Sequence, residues 1–320
     1  RESYMSMAQS IRTQEEEPAR RPEAAVLPFR PICLCDKPCF DRAMRELDET
    51  ICDCSFAVQY IWRGKYHTEI CHHEGAIMTR FSADGERFYG YPAGGGLRQS
   101  IEALEAHCEA AGETLRLGLL SEKMRTNLET ELPGRFQFEE KRDCADYLYQ
   151  AQKMIDLPGQ KLHAKRNFIN RFHAAYEGRW AFEPFDPEKL DELYEYEAQW
   201  CRDNRTSEGD LMAENQAIVS LLENGRALNV KGGLLRLDGK VIGFSLGTFI
   251  TPEIFCVHIE KADWMIPGAY QVLTNEVARA FCDGIKLINR EDDMGIEGLR
   301  KAKLSYQPDE IAMKYVATLV

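Results

Sequence analysis

The sequence predicts an α+β protein of two similar halves, each a mixed sheet flanked by helices. Three observations predict it. The chain has 320 residues, about twice the usual length of one domain. Strand, turn, helix, strand, helix and strand follow one another in the same order in both halves. An Asp238-Gly239 pair lies between two apolar runs, the strongest short-range signal for a β-hairpin.

In the first half, Arg87 to Tyr91 reads as a strand, and Pro92-Ala93-Gly94-Gly95-Gly96 turns the chain into an amphipathic helix from Arg98 to Ala111. A strand from Leu115 to Leu120 follows, then a helix opened by Ser121 and closed near Pro133-Gly134, then a strand from Arg135 to Phe138. The second half opens with helices over Pro187 to Cys201 and Gly209 to Glu223, the latter with Ile218, Leu221 and Leu222 on its apolar face. Its hairpin joins Gly233–Leu237 to Lys240–Ile250. A strand over Glu253–Glu260 leads through Ile266-Pro267-Gly268-Ala269 into a helix from Tyr270 to Phe281. A strand at Ile285–Ile288, a helix over Ile296–Leu304 and a strand over Ala312–Leu319 complete it. This order is also that of the acyl-CoA N-acyltransferase (GNAT-like) fold, so the expected architecture is a tandem of two such domains, over residues 28–155 and 156–320.

Hydrophobic residues are 44% and charged residues 29%, ordinary for a globular core. No run of eighteen apolar residues is present, so no membrane-spanning helix and no integral membrane part are expected. Arg1 to Ala25 is polar, with Glu15-Glu16-Glu17 and Arg20-Arg21. Lacking the apolar stretch of an export signal, residues 1–27 read as a disordered leader and the compartment as the cytoplasm. The net charge of −12 argues against a surface built to grip a polyanion, so DNA is not an expected partner. The 11 cysteines form no disulfide framework. Cys33, Cys35, Cys39, Cys52, Cys54 and Cys71-His72-His73 lack paired C-x-x-C knuckles, so reduced structural thiols and no metal are expected.

Candidate chemistry gathers in three stretches of the second half. Lys161, Lys165, Arg166 and Arg171 form the densest basic cluster, with Asn167 and Asn170 beside them and Leu162, Phe168, Ile169 and Phe172 as an apolar stripe. Such a cluster suits phosphate, or is a solvated face. Asn289-Arg290-Glu291-Asp292-Asp293 joins a strand to a helix that carries Lys301 and Lys303. Strand ends of this kind commonly hold ligands. Glu291 or Asp292 could take a proton from an amine, while Asp292 or Asp293 could equally cap the helix. Glu260-Lys261 precedes the turn at Gly268 and Tyr270. Lys261 there could stabilise an oxyanion or hold phosphate, or be a surface pair. The glycines at 94–96 would admit a phosphate but read as a tight turn. The first half shows no comparable charge cluster and reads as scaffold.

With these residues in place, the chain resembles the family of the lysylphosphatidylglycerol synthase C-terminal domain over roughly Pro31 to Val320. The resemblance rests on Cys54-Ser55-Phe56, Ile61-Trp62-Arg63, Asp146-Tyr147-Leu148-Tyr149, Lys161 to Phe172, Glu260-Lys261-Ala262, Gly268-Ala269-Tyr270 and Asn289 to Tyr306. It implies two acyltransferase-like domains related to transferases that move an amino acid from aminoacyl-tRNA. The expected function is acyl or aminoacyl transfer from aminoacyl-tRNA to a small amine or hydroxyl acceptor. Glu291 would be base, Arg290 or Lys261 would polarise the carbonyl, and Lys165-Arg166 would meet tRNA phosphates. Two alternatives stay open: an acetyl-CoA-dependent N-acetyltransferase binding CoA at the Gly268 turn, and a non-catalytic binding module. No resident cofactor is implied beyond CoA or aminoacyl-tRNA as the donor.

Overall fold

The computed structural model describes residues 26–204 and 208–320. The leader expected over residues 1–27 lies outside them as far as residue 25. Leu27, however, is buried, and its amide donates to His107 Nδ1 at 3.1 Å.

The first half runs β1 (Arg30–Pro31), α1 (Lys37–Leu47), α2 (Phe56–Ile61), α3 (Arg63–Tyr66), β2 (Glu69–His73), β3 (Ala76–Ala83), β4 (Glu86–Tyr89), α4 (Leu97–Ala111), β5 (Arg116–Leu120), α5 (Glu122–Glu131), β6 (Phe136–Glu140) and β7 (Asp146–Gln150). The second continues through α6 (Ala151–Asp156), α7 (His163–Ala175), β8 (Trp180–Pro184), α8 (Asp191–Asp203), α9 (Glu208–Glu223), β9 (Lys231–Leu237) and β10 (Lys240–Thr251). It ends with β11 (Ile254–Ala262), α10 (Ala269–Phe281), β12 (Leu287–Asn289), α11 (Glu297–Leu304), β13 (Glu310–Ala312) and β14 (Tyr315–Leu319). Local signals account for much of this. Asp238 and Gly239 both take positive φ, 51° and 78°, the geometry of the hairpin turn that joins β9 to β10. Ser121 Oγ accepts the Met124 amide at 3.1 Å and so caps α5.

There are two seven-stranded sheets, in the orders β1-β2-β3-β4-β5-β14-β6 and β13-β7-β12-β11-β10-β9-β8. Both are mixed, each with one parallel pair, β4 with β5 and β11 with β12. The sheets do not divide at residue 155. β7 lies in the second sheet, between β12 and β13, and β14 lies in the first, between β5 and β6. Each unit thus lends its last strand to the other. The strand expected over Ala312–Leu319 is accordingly broken at Met313-Lys314, where the chain passes between sheets.

Where the two exchanged segments meet, the Lys141 amide donates to Lys314 O at 2.8 Å. The Lys314 ammonium, 1% exposed, lies 2.8 Å from Asp146 and 2.6 Å from Asp53. One face of the second sheet packs on α6, α7 and α10 around Phe172, Phe255, Val272 and Leu273. Its other face shares a core with the first unit through Phe244, Leu246, Ile218 and Leu221. Among the described residues no helix is long and apolar enough to cross a membrane.

Candidate functional site

The parallel pair β11–β12 holds for three residues, Ile254 with Leu287, Phe255 with Ile288 and Cys256 with Asn289. Beyond it the strands part. Arg290 and Glu291 stay with β7, since the Arg290 amide donates to Tyr147 O at 3.0 Å and the Tyr147 amide to Glu291 O at 3.1 Å. β11 instead continues along β10 to Ala262. A wedge opens at the carboxyl ends of the parallel strands, where ligands of α/β layers are commonly held. Two side-chain pairs bridge it: His258 with Glu291 at 2.7 Å and Glu260 with Arg290 at 2.9 Å.

These pairs lie on opposite faces. Glu291 turns toward the first unit. Its φ of 59° is left-handed, an uncommon conformation for a residue with a side chain, and Asn289 Oδ1 fixes it by accepting the Glu291 amide at 2.7 Å. Asn289 is itself buried, donating to Thr50 O and to Asp146, both at 2.8 Å. Glu291 Oε1 faces His258 Nδ1 at 2.7 Å and the Cys256 thiol at 3.5 Å. A carboxylate only accepts, so Nδ1 donates to it, while Nε2 lies 2.7 Å from the Thr248 hydroxyl. Ser55 Oγ, from the first unit, follows at 3.4 Å from Thr248. His258 is buried, whereas the Glu291 side chain is 21% exposed. Its Oε2 has no partner among the described residues. The relay therefore presents one free carboxylate oxygen at its open end.

Asp292 lies beside it. Burial pushes its carboxyl up to about 7; Lys314 opposes this, while Glu291 and Asp146 add to it. Among the described residues no hydrogen bond or ion pair holds that carboxyl. Burial likewise raises the Tyr66 phenol to about 12, with the charge of Asp292 as its next cause, which places α3 of the first unit against the same spot. The Lys303 ammonium clamps the loop by donating to Arg290 O at 2.6 Å and to Asp292 O. Asp293 is different again. Although burial opposes it, hydrogen bonds from Arg300, Tyr147 and the Gly295 amide hold its carboxyl well below the usual range. The N-cap of α11 is Ile296 and no side chain caps it, so neither Asp292 nor Asp293 takes the expected capping role. Asp293 instead accepts the Gly295 amide at 2.9 Å in the loop before the helix.

Arg290 lies across the sheet, over the rings of Tyr306 at 4.9 Å and Tyr149 at 5.8 Å. Its Nη1 is buried without a partner among the described residues. An adjoining cavity of about 10 Å³, lined by Glu260, Thr274 and Arg290 among others, has room for about one water. Glu260 also accepts from Thr274 at 2.7 Å and from Ser245 at 3.1 Å. Lys165 sits 4.3 Å over Tyr306, its ammonium pushed down by burial and by Arg290.

Several expected site residues do something else. Lys261 is buried between Glu197 at 2.9 Å and Glu214 at 2.8 Å, with Trp200 at 3.8 Å. A cation neutralised twice and shut from solvent cannot polarise a carbonyl in the wedge. Arg166 ties down the α6–α7 connection at Leu157 O and Gly159 O, and Asn167 pairs with His163. Asn170 and Lys301 are exposed. Gly268 opens α10 at φ 90°, but a Cβ there would fall 2.7 Å from Phe168 O and 3.0 Å from Phe172 Cβ. The glycine serves the close approach of α7, and the side that a phosphate cradle would use is filled. Tyr270 is half-buried on the next turn, its phenol raised by burial.

The thiols expected to be reduced include one pair, Cys33–Cys35, joined as a disulfide. Asp36 beside them is held by Arg30 at 2.6 and 2.9 Å, so those donors are taken. Cys256, His258 and Glu291 also converge within 4.8 Å and could hold a cation. Burial and the charge of Glu291 raise the Cys256 thiol well above its usual value.

Sequence reasoning missed His258, Thr248, Ser55, Tyr66, Asp146 and Lys314. The available signals are Lys314, a lone charge within the apolar run Ala312–Leu319, and the place of Ser55 and Asp146 in two of the stretches that carry the resemblance.

Solved structures with this fold include a conserved protein of unknown function from Bacteroides thetaiotaomicron, 37% identical with a TM-score of 0.86 over 92% of this chain and 100% of that one. The C-terminal domain of a putative lysylphosphatidylglycerol synthetase from Agrobacterium fabrum matches at 15% identity and a TM-score of 0.61, over 88% of this chain and 92% of its own. A tandem GNAT protein from the clavulanic acid biosynthesis pathway matches at 9% and 0.51, over 91% and 98%. These two share the fold, a tandem of mixed sheets flanked by helices. An uncharacterized protein of Mycoplasmoides gallisepticum is 29% identical over 180 residues, 55% of this chain and 56% of its own length. The chain thus spans little more than half of that relative. The family model described as "Phosphatidylglycerol lysyltransferase, C-terminal" matches residues 44–318. On that match, the chain belongs to the phosphatidylglycerol lysyltransferase C-terminal family.

Proposed function

We propose that the chain transfers an acyl or aminoacyl group to an amine or hydroxyl acceptor held in the β11–β12 wedge. One observation carries the reading: a carboxylate with one oxygen fixed and one free stands beside a second carboxyl pushed up to about 7. A hydrogen-bonded carboxylate beside a carboxyl raised by burial can divide base and acid work between them. Glu291 Oε2 takes the proton of the attacking N–H or O–H as the acceptor adds to the donor carbonyl. Asp292, protonated about half the time near neutrality, returns a proton to the departing oxygen. His258 keeps Glu291 oriented, and the Thr248 hydroxyl holds the other ring nitrogen of His258. No covalent enzyme intermediate is needed.

Aminoacyl-tRNA is the donor we favour over acetyl-CoA, in the cytoplasm where charged tRNA is found. Support comes from the family, from relatives named as lysylphosphatidylglycerol synthetases, and from the Gly268 turn, whose open side α7 occupies. Of the basic cluster on α7, Lys161 and Arg171 are exposed and suit tRNA phosphates. A lipid hydroxyl and a free small-molecule amine are both acceptors compatible with this chemistry.

The test is a transfer assay with charged tRNA and an acceptor panel, run beside acetyl-CoA. Glu291→Gln should lower the rate by about 100-fold or more, the usual size of a lost general base, with the melting temperature little changed. Transfer from acetyl-CoA alone would overturn the donor assignment. Full activity of Glu291→Gln would overturn the role of the wedge.

A further inference from the structure

A second concave site lies outside the wedge, between α2–α3 and α9. Its volume is about 260 Å³, and it is lined by Ile61, Trp62, Arg63, Gly64, Lys65, Ala213, Gln216 and Ser220. Two features set it apart on a chain of net charge −12. Among the described residues its lining holds two cations and no acid. It also holds one large flat ring, the Trp62 indole, and two neutral hydrogen-bonding side chains, Gln216 and Ser220.

Arg63 is fixed in place. Its guanidinium stacks 3.8 Å over the Tyr60 ring, and its Nη1 donates to Tyr60 O at 2.7 Å and Ser220 Oγ at 2.9 Å. The rest of its planar fork has no partner among the described residues. Such a held guanidinium matches the oxygens of a phosphate. Lys65 stands two residues on, 5.8 Å over the Trp62 ring, and it pairs with the Asp210 carboxylate at 3.9 Å, which is 79% exposed. An ion pair of that length and exposure is worth little, so the ammonium is available to a second anion. Gly64 leaves the floor open: a Cβ there would come no nearer than 3.7 Å to Gln216.

We propose that this groove binds a nucleoside monophosphate group, with its phosphate on Arg63 and Lys65 and its base against the Trp62 indole. The volume lies just under the roughly 300–1,000 Å³ of pockets for drug-sized ligands, which suits a single nucleotide better than an extended chain. Stacking on an indole tolerates any base, whereas Gln216 and Ser220 offer polar contacts to the base edge or sugar. The groove is a site of its own. It stands whether or not the wedge transfers an aminoacyl group, and the group it takes is either a free nucleotide or the end of an RNA chain.

The test is calorimetric titration of the full chain with AMP, with adenosine and inorganic phosphate as separate arms. AMP should bind at least about tenfold tighter than either part alone. Trp62→Leu should weaken it about tenfold, and Lys65→Gln, at an exposed position that folding does not need, about fivefold. Displacement of bound AMP by uncharged tRNA assigns the group to an RNA end. AMP binding that tRNA leaves untouched assigns it to free nucleotide, and either result supports the site. No AMP binding, binding that phosphate alone matches, or binding unaffected by both substitutions would overturn it.

Discussion

The parallel strand pair at the centre of each sheet is filled in opposite ways. In the first unit, β4 and β5 meet only at Tyr89 and Leu117, and apolar rings close the space beside them. A Cβ on Gly118 would fall 2.7 Å from the Phe81 ring, which stacks on Phe88 at 5.5 Å. The glycine turn after β4 is closed as well, since a Cβ on Gly94 would lie 2.7 Å from Gly75 O of the β2–β3 turn. In the second unit the same place holds His258–Glu291 on one face and Glu260–Arg290 on the other. One topology, used twice, makes two wedges, and the residues that fill them make the first apolar and the second polar and charged. The first unit is nevertheless more than scaffold. Ser55, Cys52, Asp53 and Tyr66 all reach the face of the second sheet on which Glu291 stands.

The largest expected effect lies at the joint between the units. Lys314→Met would leave Asp146 and Asp53 buried without their cation, a loss of about 3–5 kcal/mol, read as a lower midpoint in urea. A loss under about 1 kcal/mol would mean that the exchanged strands are held by packing alone.

Next come the neighbours Asp292 and Asp293, whose pH behaviour should be opposite. The carboxyl of Asp293 is held below its unfolded value, so its stabilisation is complete above about pH 4 and fades as pH falls through the lowered value. Asp293→Asn should therefore lose about 2 kcal/mol at pH 7, the scale of a charged hydrogen bond, and less at pH 3. The carboxyl of Asp292 is raised to about 7. Its contribution is complete below about pH 4 and is lost as pH rises through about 7. Asp292→Asn should match wild type at pH 4 and be more stable at pH 8, by about 1–2 kcal/mol once solvent screening at a part-exposed group is allowed for. Melting temperatures across pH 3–9 check both signs.

The smallest effect is expected at Lys301, exposed on α11. Lys301→Ala should leave stability within about 0.5 kcal/mol and the transfer rate within about twofold. A larger loss of rate would extend the site onto that helix.

The sequence made the order of elements legible because each carries local chemistry: an Asp-Gly turn with two positive φ angles, a Ser cap at 121, apolar spacing on α9. The strand exchange was not legible, because nothing local tells Tyr315–Leu319 which sheet to join. The crowd at 289–293 stood out as charge, but charge does not show direction. Asn289 and Glu291 turn to one face and Arg290 to the other, and for Glu291 a left-handed φ beyond the end of β12 sets the direction. His258 was silent because a single histidine between Val257 and Ile259 looks like any strand residue until Glu291 and Thr248 arrive from distant positions. Lys261 misled for a related reason, since its partners Glu197 and Glu214 come from helices that sequence spacing does not place.

The central claim is that burial beside Glu291 raises the Asp292 carboxyl to about 7. Carbon NMR of the protein labelled at its aspartate carboxyls, titrated from pH 3 to 9 with Asp292→Asn to assign the signal, tests it without knowledge of donor or acceptor. The account predicts one aspartate carboxyl that titrates near 7 and vanishes in the variant. Every aspartate titrating below about 5, close to the ordinary value, would contradict it.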